Sequence, residues 1–462
     1  MIDYDLIIIG AGPAGMAAAV EATQRGLSVC ILDEQASAGG QIYRNVSKVK
    51  QHQADILGPD YIAGKQLVNA LQQSTAIHRK AVTVWKVDKD AKVAFSDAGR
   101  AEQIQGRHII LANGAMERPV PLPGWTLPGV LTVGAAQILM KSGSVVARDA
   151  VIIGSGPLLY LVASQLLAAG APPRALIETQ TRRNVIAALP YFGKALVQWR
   201  PLLKGIRMIM NLTFASVPRF IAATDISIEG NDSVEAVCFR AGGKTHRIET
   251  SIALLHQGVV PNTQISRSLN LEHRYNVQQH CFHPVTNELG QSSHPLFSIA
   301  GDGAGIGGAN VAALSGRISA LNAAACLKKI SISERDRAAF VLQKLKRAEL
   351  SIRPFLDALY PPPQSVLLPE NDTIICRCEE VTAGDIRHYA TLGCKGPNQT
   401  KSFCRSGMGP CQGRFCGLTV TELLAAEMGE THDVIGSYRI RAPLKSVTLK
   451  EFADLGVPTT ME

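Results

Sequence analysis

Short, wholly apolar runs that end at glycine, each followed by a longer Ala/Leu-rich stretch, set the pattern of this chain. Ile7-Ile8-Ile9 runs into Gly10-Ala11-Gly12-Pro13, and the arrangement returns at a constant offset as Val151-Ile152-Ile153 and Gly154-Ser155-Gly156-Pro157. Each copy predicts a strand, a glycine turn and a helix, which is the opening of a βαβ unit. The expected fold class is therefore α/β, with two nucleotide-binding-type domains built on parallel sheets. Pro119-Val120-Pro121-Leu122-Pro123-Gly124 marks the crossing from the first domain into the second. A return is expected near Gln257-Gly258-Val259-Val260-Pro261-Asn262, complete by the strand and turn Phe297-Ser298-Ile299-Ala300-Gly301-Asp302-Gly303. The first domain is thus discontinuous, 1–118 and 257–345, with the second at 119–256. A linker follows at 346–373, stiffened by Tyr360-Pro361-Pro362-Pro363 through Pro369. A cysteine-rich module occupies 374–430, and a tail, 431–462, rich in Arg, Pro and Lys from about Tyr438, is expected to lie extended and dock a partner. The longest apolar helical stretch, Leu158 to Ala171, contains Ser164 and Gln165 and is too short to span a bilayer, so no transmembrane segment is expected.

Composition narrows the function classes. The 462 residues suffice for about three domains, and 46% hydrophobic against 18% charged residues excludes a disordered or fibrous chain. The 41 glycines against 3 tryptophans argue for tight turns and against a surface of stacked rings for sugars or single-stranded nucleic acid. A formal charge of +9 favours anionic cofactors or an acidic partner, yet the basic residues are mostly scattered. The densest run, Lys344 to Arg353, includes Glu349 and reads as a solvated helix face; with no recognisable module, no nucleic-acid partner is expected. The opening residues lack the basic region and cleavage site of a signal peptide, so the expected location is the cytoplasm. Ten cysteines in a reducing compartment are then not disulfides; six of them fall between Cys376 and Cys416, which reads as a metal or cluster site.

The first glycine turn carries the clearest chemistry. In Gly10-Ala11-Gly12-Pro13-Ala14-Gly15, Gly10 permits a tight turn, Gly12 lets the backbone approach a pyrophosphate, and Gly15 lets helix and sheet pack closely. The helix N-terminus adds positive potential. Asp33, closing the next strand, is placed to bind ribose hydroxyls, with Glu34 facing the other way. Gly39-Gly40-Gln41 lies where a second backbone loop covers a dinucleotide. Leu111-Ala112-Asn113-Gly114-Ala115 ends another strand with small residues that pass close to the cofactor. Asp302, after Gly301, is expected to hold a ribityl chain while amides beyond it face the ring system, and a ribityl partner means a flavin, FAD. The second turn departs from the rule: Leu159 stands where the third glycine belongs. Glu178 remains available to a ribose, and a degenerate or purely structural nucleotide site is favoured over a working NAD(P)H site.

Cys376-Arg377-Cys378 is followed after thirty-two residues by Cys411-Gln412-Gly413-Arg414-Phe415-Cys416. Two close thiolate pairs supply the four sulfurs that zinc or a [2Fe–2S] cluster needs, each close pair being expected to hold one iron. Glycine and proline around the second pair leave amides free for hydrogen bonds to sulfur. Beside a flavin, a redox cluster is the expectation, with zinc as the alternative. Cys394 and Cys404 are read as buried small residues, and Cys30, Cys238, Cys281 and Cys326 as core. No redox Cys-x-x-Cys follows either glycine turn, which disfavours a disulfide reductase.

These residues together resemble one flavoprotein family. The carriers are the N-terminal glycine motif with Gly39-Gly40-Gln41-Ile42-Tyr43-Arg44, the run Ala112-Asn113-Gly114-Ala115 with Glu117-Arg118-Pro119 and Pro123-Gly124-Trp125, and the Cys-Arg-Cys-Glu-Glu module. The family comprises the alpha (A) subunits of octopine and nopaline oxidases, the B subunit of hydrogen cyanide synthase and the alpha subunits of bacterial hydroxyproline and proline dehydrogenases, and the resemblance covers nearly the whole chain. It implies two nested Rossmann-like, glutathione-reductase-type domains and a small bacterioferritin-associated-ferredoxin-like [2Fe–2S] module. It also implies a hetero-oligomer, soluble or peripheral at the inner membrane through its electron acceptor. In it a smaller FAD-dependent subunit oxidises an opine, imino acid or related secondary amine, and this chain passes the electrons on. Further expectations are a small ferredoxin-like subunit, and either FMN at a subunit interface or a nucleotide in the second domain. No catalytic base is recognised; His256, His280, His283 and His294 read as ordinary histidines. Two rivals stand: a self-sufficient NAD(P)H-dependent flavin reductase, and an assembly subunit that holds zinc.

Overall fold

The structure, a computed structural model, describes residues 2–455; the last seven residues of the expected tail lie outside that range. Leu6 to Ile9 are buried, as befits a strand covered on both faces. Tyr4–Ile9 runs parallel to Val29–Leu32 on one side and to the second half of Arg100–Leu111 on the other, and Phe297–Ile299 pairs with Ile109 to Leu111. Ile77–Arg79 extends the parallel edge. Thr83–Val87 and Lys92–Asp97 form an antiparallel meander onto the first half of Arg100–Leu111. Over this sheet the helices Pro13–Gln24 and Ala309–Cys326 touch nearly backbone to backbone: a Cβ on Gly316 would stand 2.0 Å from the Ala14 carbonyl oxygen. Alanine and glycine on both helices make that approach possible.

The chain leaves this domain along Ala115–Glu117 and returns along Val259–Pro261, and the outgoing and returning strands pair antiparallel. Between them lies a second, wholly parallel sheet in the order Arg219–Phe220, Ala175–Glu178, Val151–Ser155, Ala253–Gln257, Val130–Thr132. A three-stranded antiparallel sheet, Thr224–Glu229, Ala236–Ala241 and Lys244–Glu249, covers one end. Two helices, Arg182–Ala195 and Trp199–Phe214, are inserted between Glu178 and Arg219.

The segment expected as a linker is more structured than its prolines suggest. It contains the end of the helix Ile332–Leu350 and the short helices Arg353–Leu359 and Gln364–Leu367, because Val366 and Leu367 are buried. Pro361 to Pro363 and Leu368 to Thr373 run without helix or strand. The cysteine-rich module pairs Ile374–Cys376 with Val381–Thr382 and adds the helices Ala383–Thr391, Pro397–Cys404 and Gly417–Met428. Two joints fasten it to the body. The Trp125 indole donates to the Ile374 carbonyl at 2.6 Å under the Arg377 guanidinium. Tyr275 stacks on His432, ring centroids 3.8 Å apart, and donates to Glu422. The tail, expected to dock a partner, runs through residue 455 over the chain's own first domain: the Leu444 amide donates to the Trp85 carbonyl at 2.7 Å, and Phe452 packs on the Trp85 ring.

Candidate functional site

The first glycine turn is held from three sides. Gly10 has φ +104°, and a Cβ there would stand 2.5 Å from the Ala112 carbonyl oxygen; one on Gly15 would stand 1.8 Å from the Gly10 carbonyl. The Gly39 amide donates to the Ala11 carbonyl at 2.8 Å, and a Cβ on Gly40 would come within 2.9 Å of Gly12 Cα. Gly301, at φ +76°, abuts the Ala14 methyl. The residues predicted as Gly10, Gly12, Pro13, Ala14, Gly15, Gly40, Ala112 and Gly301 thus surround one place. Pro13 opens the helix and no side chain caps it, which leaves the first-turn amides available to an anion. Gly114, at φ +67°, faces open space, and its carbonyl takes the Asn262 amide at 3.0 Å.

The other predicted residues make contacts of their own within the protein. Asp33 is buried, and its oxygens accept the Ala11 amide at 2.5 Å and the Gln35 amide at 2.6 Å, so the carboxylate pins the glycine turn. Burial pushes its pKa up. Glu34 faces outward, as expected, and meets Lys445 of the tail at 3.0 Å. Asp302 accepts the amides of Gly307 at 2.9 Å and Gly308 at 3.0 Å. Gln41 offers its carbonyl to a buried residue that sequence reasoning missed, Lys141, which donates to Gln41 at 3.1 Å, Ile42 at 2.9 Å and the Gln137 side chain at 2.8 Å.

The second turn is sealed by the protein. Leu159 is fully buried. Glu178 receives Arg219 at 2.6 and 3.0 Å and the Tyr160 hydroxyl at 2.5 Å, with no exposed surface left for a ribose. Gln257 ties Ser155 to Thr179. Beside this turn lies a second missed feature, a buried His256–Glu117 pair at 2.7 Å whose carboxylate also takes the Gly134 amide at 2.8 Å. The partners are 139 residues apart, and no local pattern links them.

The four predicted cysteines meet, but in crossed pairs. Cys378 and Cys411 stand 3.8 Å apart near the surface, and Cys376 shares a hydrogen bond with Cys416 in the interior. Each thiol thus meets one from the other close pair and not its neighbour in sequence. The bond with Cys416, followed by the amides of Gly407, Glu379 and Cys378, brings the Cys376 thiol down to about 6 against the opposing effect of burial. Cys416 is pushed up by the same bond and by burial. Cys404 donates to the Thr400 carbonyl at 3.2 Å, and Cys394 is buried nearby. Among the described residues, no three His, Cys, Asp or Glu side chains gather as a metal-ion site, and no helix is long and apolar enough to cross a membrane.

Comparison with known proteins agrees with this architecture. The model of the pyridine nucleotide-disulphide oxidoreductase family matches residues 4–324, and that of the sarcosine oxidase A3 domain matches residues 370–455, taking module and tail together. The chain is 42% identical to the A subunit of an opine oxidase from Rhizobium meliloti, covering 98% of this chain and 88% of the relative. It is equally similar to the corresponding opine oxidase chain of Agrobacterium tumefaciens strain Ach5, over 98% and 92%. The HcnB chain of hydrogen cyanide synthase from Pseudomonas aeruginosa is 32% identical over 97% and 98%. Among solved structures, the L-proline dehydrogenase of P. horikoshii superposes with a TM-score of 0.70 at 20% identity, covering 96% of this chain and 78% of that one, which shows the shared fold. The chain therefore belongs to the pyridine nucleotide-disulphide oxidoreductase family and, within it, with the A subunits of opine oxidases, and is a flavin-dependent oxidoreductase.

Proposed function

We propose that this chain is the FAD- and [2Fe–2S]-containing subunit of a hetero-oligomeric oxidase or dehydrogenase that acts on an opine, imino acid or related secondary amine. A smaller flavoprotein subunit oxidises the substrate, and this chain carries the electrons to an acceptor; an interfacial FMN and a small ferredoxin-like subunit would fit that arrangement. In this reading the complex lies in the cytoplasm, and any membrane attachment through electron transfer runs by way of the acceptor. The observation that carries the proposal is the pairing of Cys376 with Cys416 and of Cys378 with Cys411 in a module fastened to the flavoprotein body. A sulfur–sulfur separation of 3.8 Å between Cys378 and Cys411 matches the edge of a tetrahedron with metal–sulfur bonds of about 2.3 Å.

A bound flavin would take electrons in pairs, and an iron–sulfur cluster would pass them singly. The chain's own part is placement. Uncapped amides after Pro13 and the bare backbone at Gly12 and Gly40 receive a pyrophosphate. Asp33 keeps the turn in shape from behind. Cys376 and Cys416 form the inner side of the thiol cluster, while Cys378 and Cys411 stand on the side an acceptor can reach. The self-sufficient NAD(P)H reductase is disfavoured because Glu178 is spent on Arg219 and Tyr160.

Serine substitution tests the cysteines. Cys411→Ser is expected to abolish bound iron and the visible iron–sulfur absorption, while Cys404→Ser, whose thiol is turned to Thr400, keeps both. Iron retained in the first variant and lost in the second would overturn the ligand set, and zinc without iron in the wild-type protein would remove the electron-transfer role.

A further inference from the structure

The two inserted helices of the second domain present apolar side chains to solvent on a strongly basic background. On Trp199–Phe214, the exposed Trp199, Ile206, Met210 and Phe214 recur at spacings of seven, four and four, which places them on one stripe. The opposite face packs inward through Met208, Ile209 and the fully buried Leu212. Arg200, Lys204 and Arg207 follow one flank of the exposed stripe, by the 100° advance per residue of a helix. On Arg182–Ala195 only Ala188 and Ala195 are buried, and Val185, Ile186, Leu189 and Phe192 form a second exposed stripe. Leu196 and Val197, between the helices, are exposed as well.

Charge over this region is one-sided. The whole chain has 38 acidic residues, yet none occurs in the 46 positions from Thr179 to Thr224, which contain seven arginines and lysines. One of those, Arg219, is spent on Glu178; another, Lys204, is met by Asp60 from a neighbouring helix. The hairpin is fixed to the body by the Gln198 bond to the Ala348 carbonyl at 3.1 Å and by the contact of Phe192 with Phe355. It is a formed surface.

We propose that this hairpin is a membrane-docking face that lies in the headgroup layer of a bilayer rich in anionic phospholipid. The apolar stripes enter the boundary of the acyl region, and Arg200, Arg207, Arg182, Arg183 and Lys194 meet phosphate groups. Basic side chains flank the apolar stripes with no acidic residue among them from Thr179 to Thr224, an arrangement a lipid surface accommodates because arginine and lysine extend their heads to the phosphates. This contact is made by the chain itself and does not depend on its donor or its acceptor.

The tryptophans make the test specific, since Trp85 and Trp125 are buried and Trp199 is 55% exposed. The purified full chain is mixed with phosphatidylglycerol/phosphatidylethanolamine vesicles and, separately, with phosphatidylcholine vesicles, and sedimented. Expected are binding to the anionic vesicles that weakens as salt is raised, binding to the neutral ones at least about tenfold weaker, and a blue shift of tryptophan emission that Trp199→Phe removes without loss of binding. The double variant Arg200→Glu/Arg207→Glu, altered only on the exposed flank, is expected to keep its flavin and melting temperature and to bind anionic vesicles at least about tenfold less well. Absence of sedimentation with anionic vesicles, unchanged binding by the double variant, or no emission shift on binding would each overturn the proposal. Capture of a stoichiometric protein partner by the same face, without vesicle binding, would replace it with a protein interface.

Discussion

Gly12 and Gly15 sit three residues apart and are glycine for opposite reasons. A Cβ on Gly15 collides with the backbone of its own turn at 1.8 Å, so that glycine is demanded by folding. A Cβ on Gly12 meets only Gly40 Cα, at an ordinary 3.8 Å, and φ −75° suits any residue. The empty space there serves a ligand. Gly12→Val is therefore expected to fold with near-normal stability and to lose most of its flavin, read as the ratio of visible to protein absorbance; full flavin content would contradict the site. Asp33→Ala is expected to cost about 1–3 kcal/mol, since the Ala11 amide is left without an acceptor. Lys141 gives a pH signature. Burial, with Arg44 nearby, lowers its pKa from 10.5 to about 7. Between those values the unfolded chain binds more protons than the folded one, so stability rises with pH across that window. Denaturant midpoints of wild type relative to Lys141→Met are expected to climb from pH 7 toward pH 10, and parallel curves would show that Lys141 keeps an ordinary pKa.

At the scale of elements, the cysteine loop depends on a residue that sequence reading placed at the start of the tail. Tyr438 is buried, bonds Ser406 at 2.8 Å, and lies against Gly407 and Gly413, where a Cβ would stand 2.7 and 2.3 Å from its ring. Both glycines also have positive φ, +79° and +73°, so they serve backbone conformation and ring packing together. Tyr438→Ala is expected to destabilise the module by about 3 kcal/mol and to open the cysteine loop, seen as faster alkylation of Cys376 and Cys416 in the metal-free protein. Unchanged alkylation would mean that the loop holds its shape without the ring. Sequence signals located the strand before and the helix after each glycine turn and the cysteine-rich module, because each is a local pattern. They could not locate Tyr438 under the loop, since that contact forms only when distant segments meet.

At the scale of the whole molecule, the duplicated glycine turn has two fates. The first turn is open where a ligand would lie; the second is closed by Leu159, Tyr160, Glu178 and Arg219. Anaerobic NADH is accordingly expected to leave the flavin of the isolated chain oxidised, and rapid bleaching would show that the nicotinamide nucleotide binds despite the seal. The sequence alone determined the α/β class, the doubled βαβ opening, the departure at Leu159 and the family, because apolar runs, glycines and their spacing act within a few turns of chain. Only the tertiary structure decided the crossed pairing of Cys376 with Cys416 and Cys378 with Cys411, the turning of Asp33 to the Ala11 amide, the closure of Glu178 by Arg219, and the path of the tail over Trp85. In the cysteine, Glu178 and tail contacts the partners lie tens to hundreds of residues apart, and in all of them the outcome is set by which segments pack together, through burial and hydrogen bonds that no local pattern encodes.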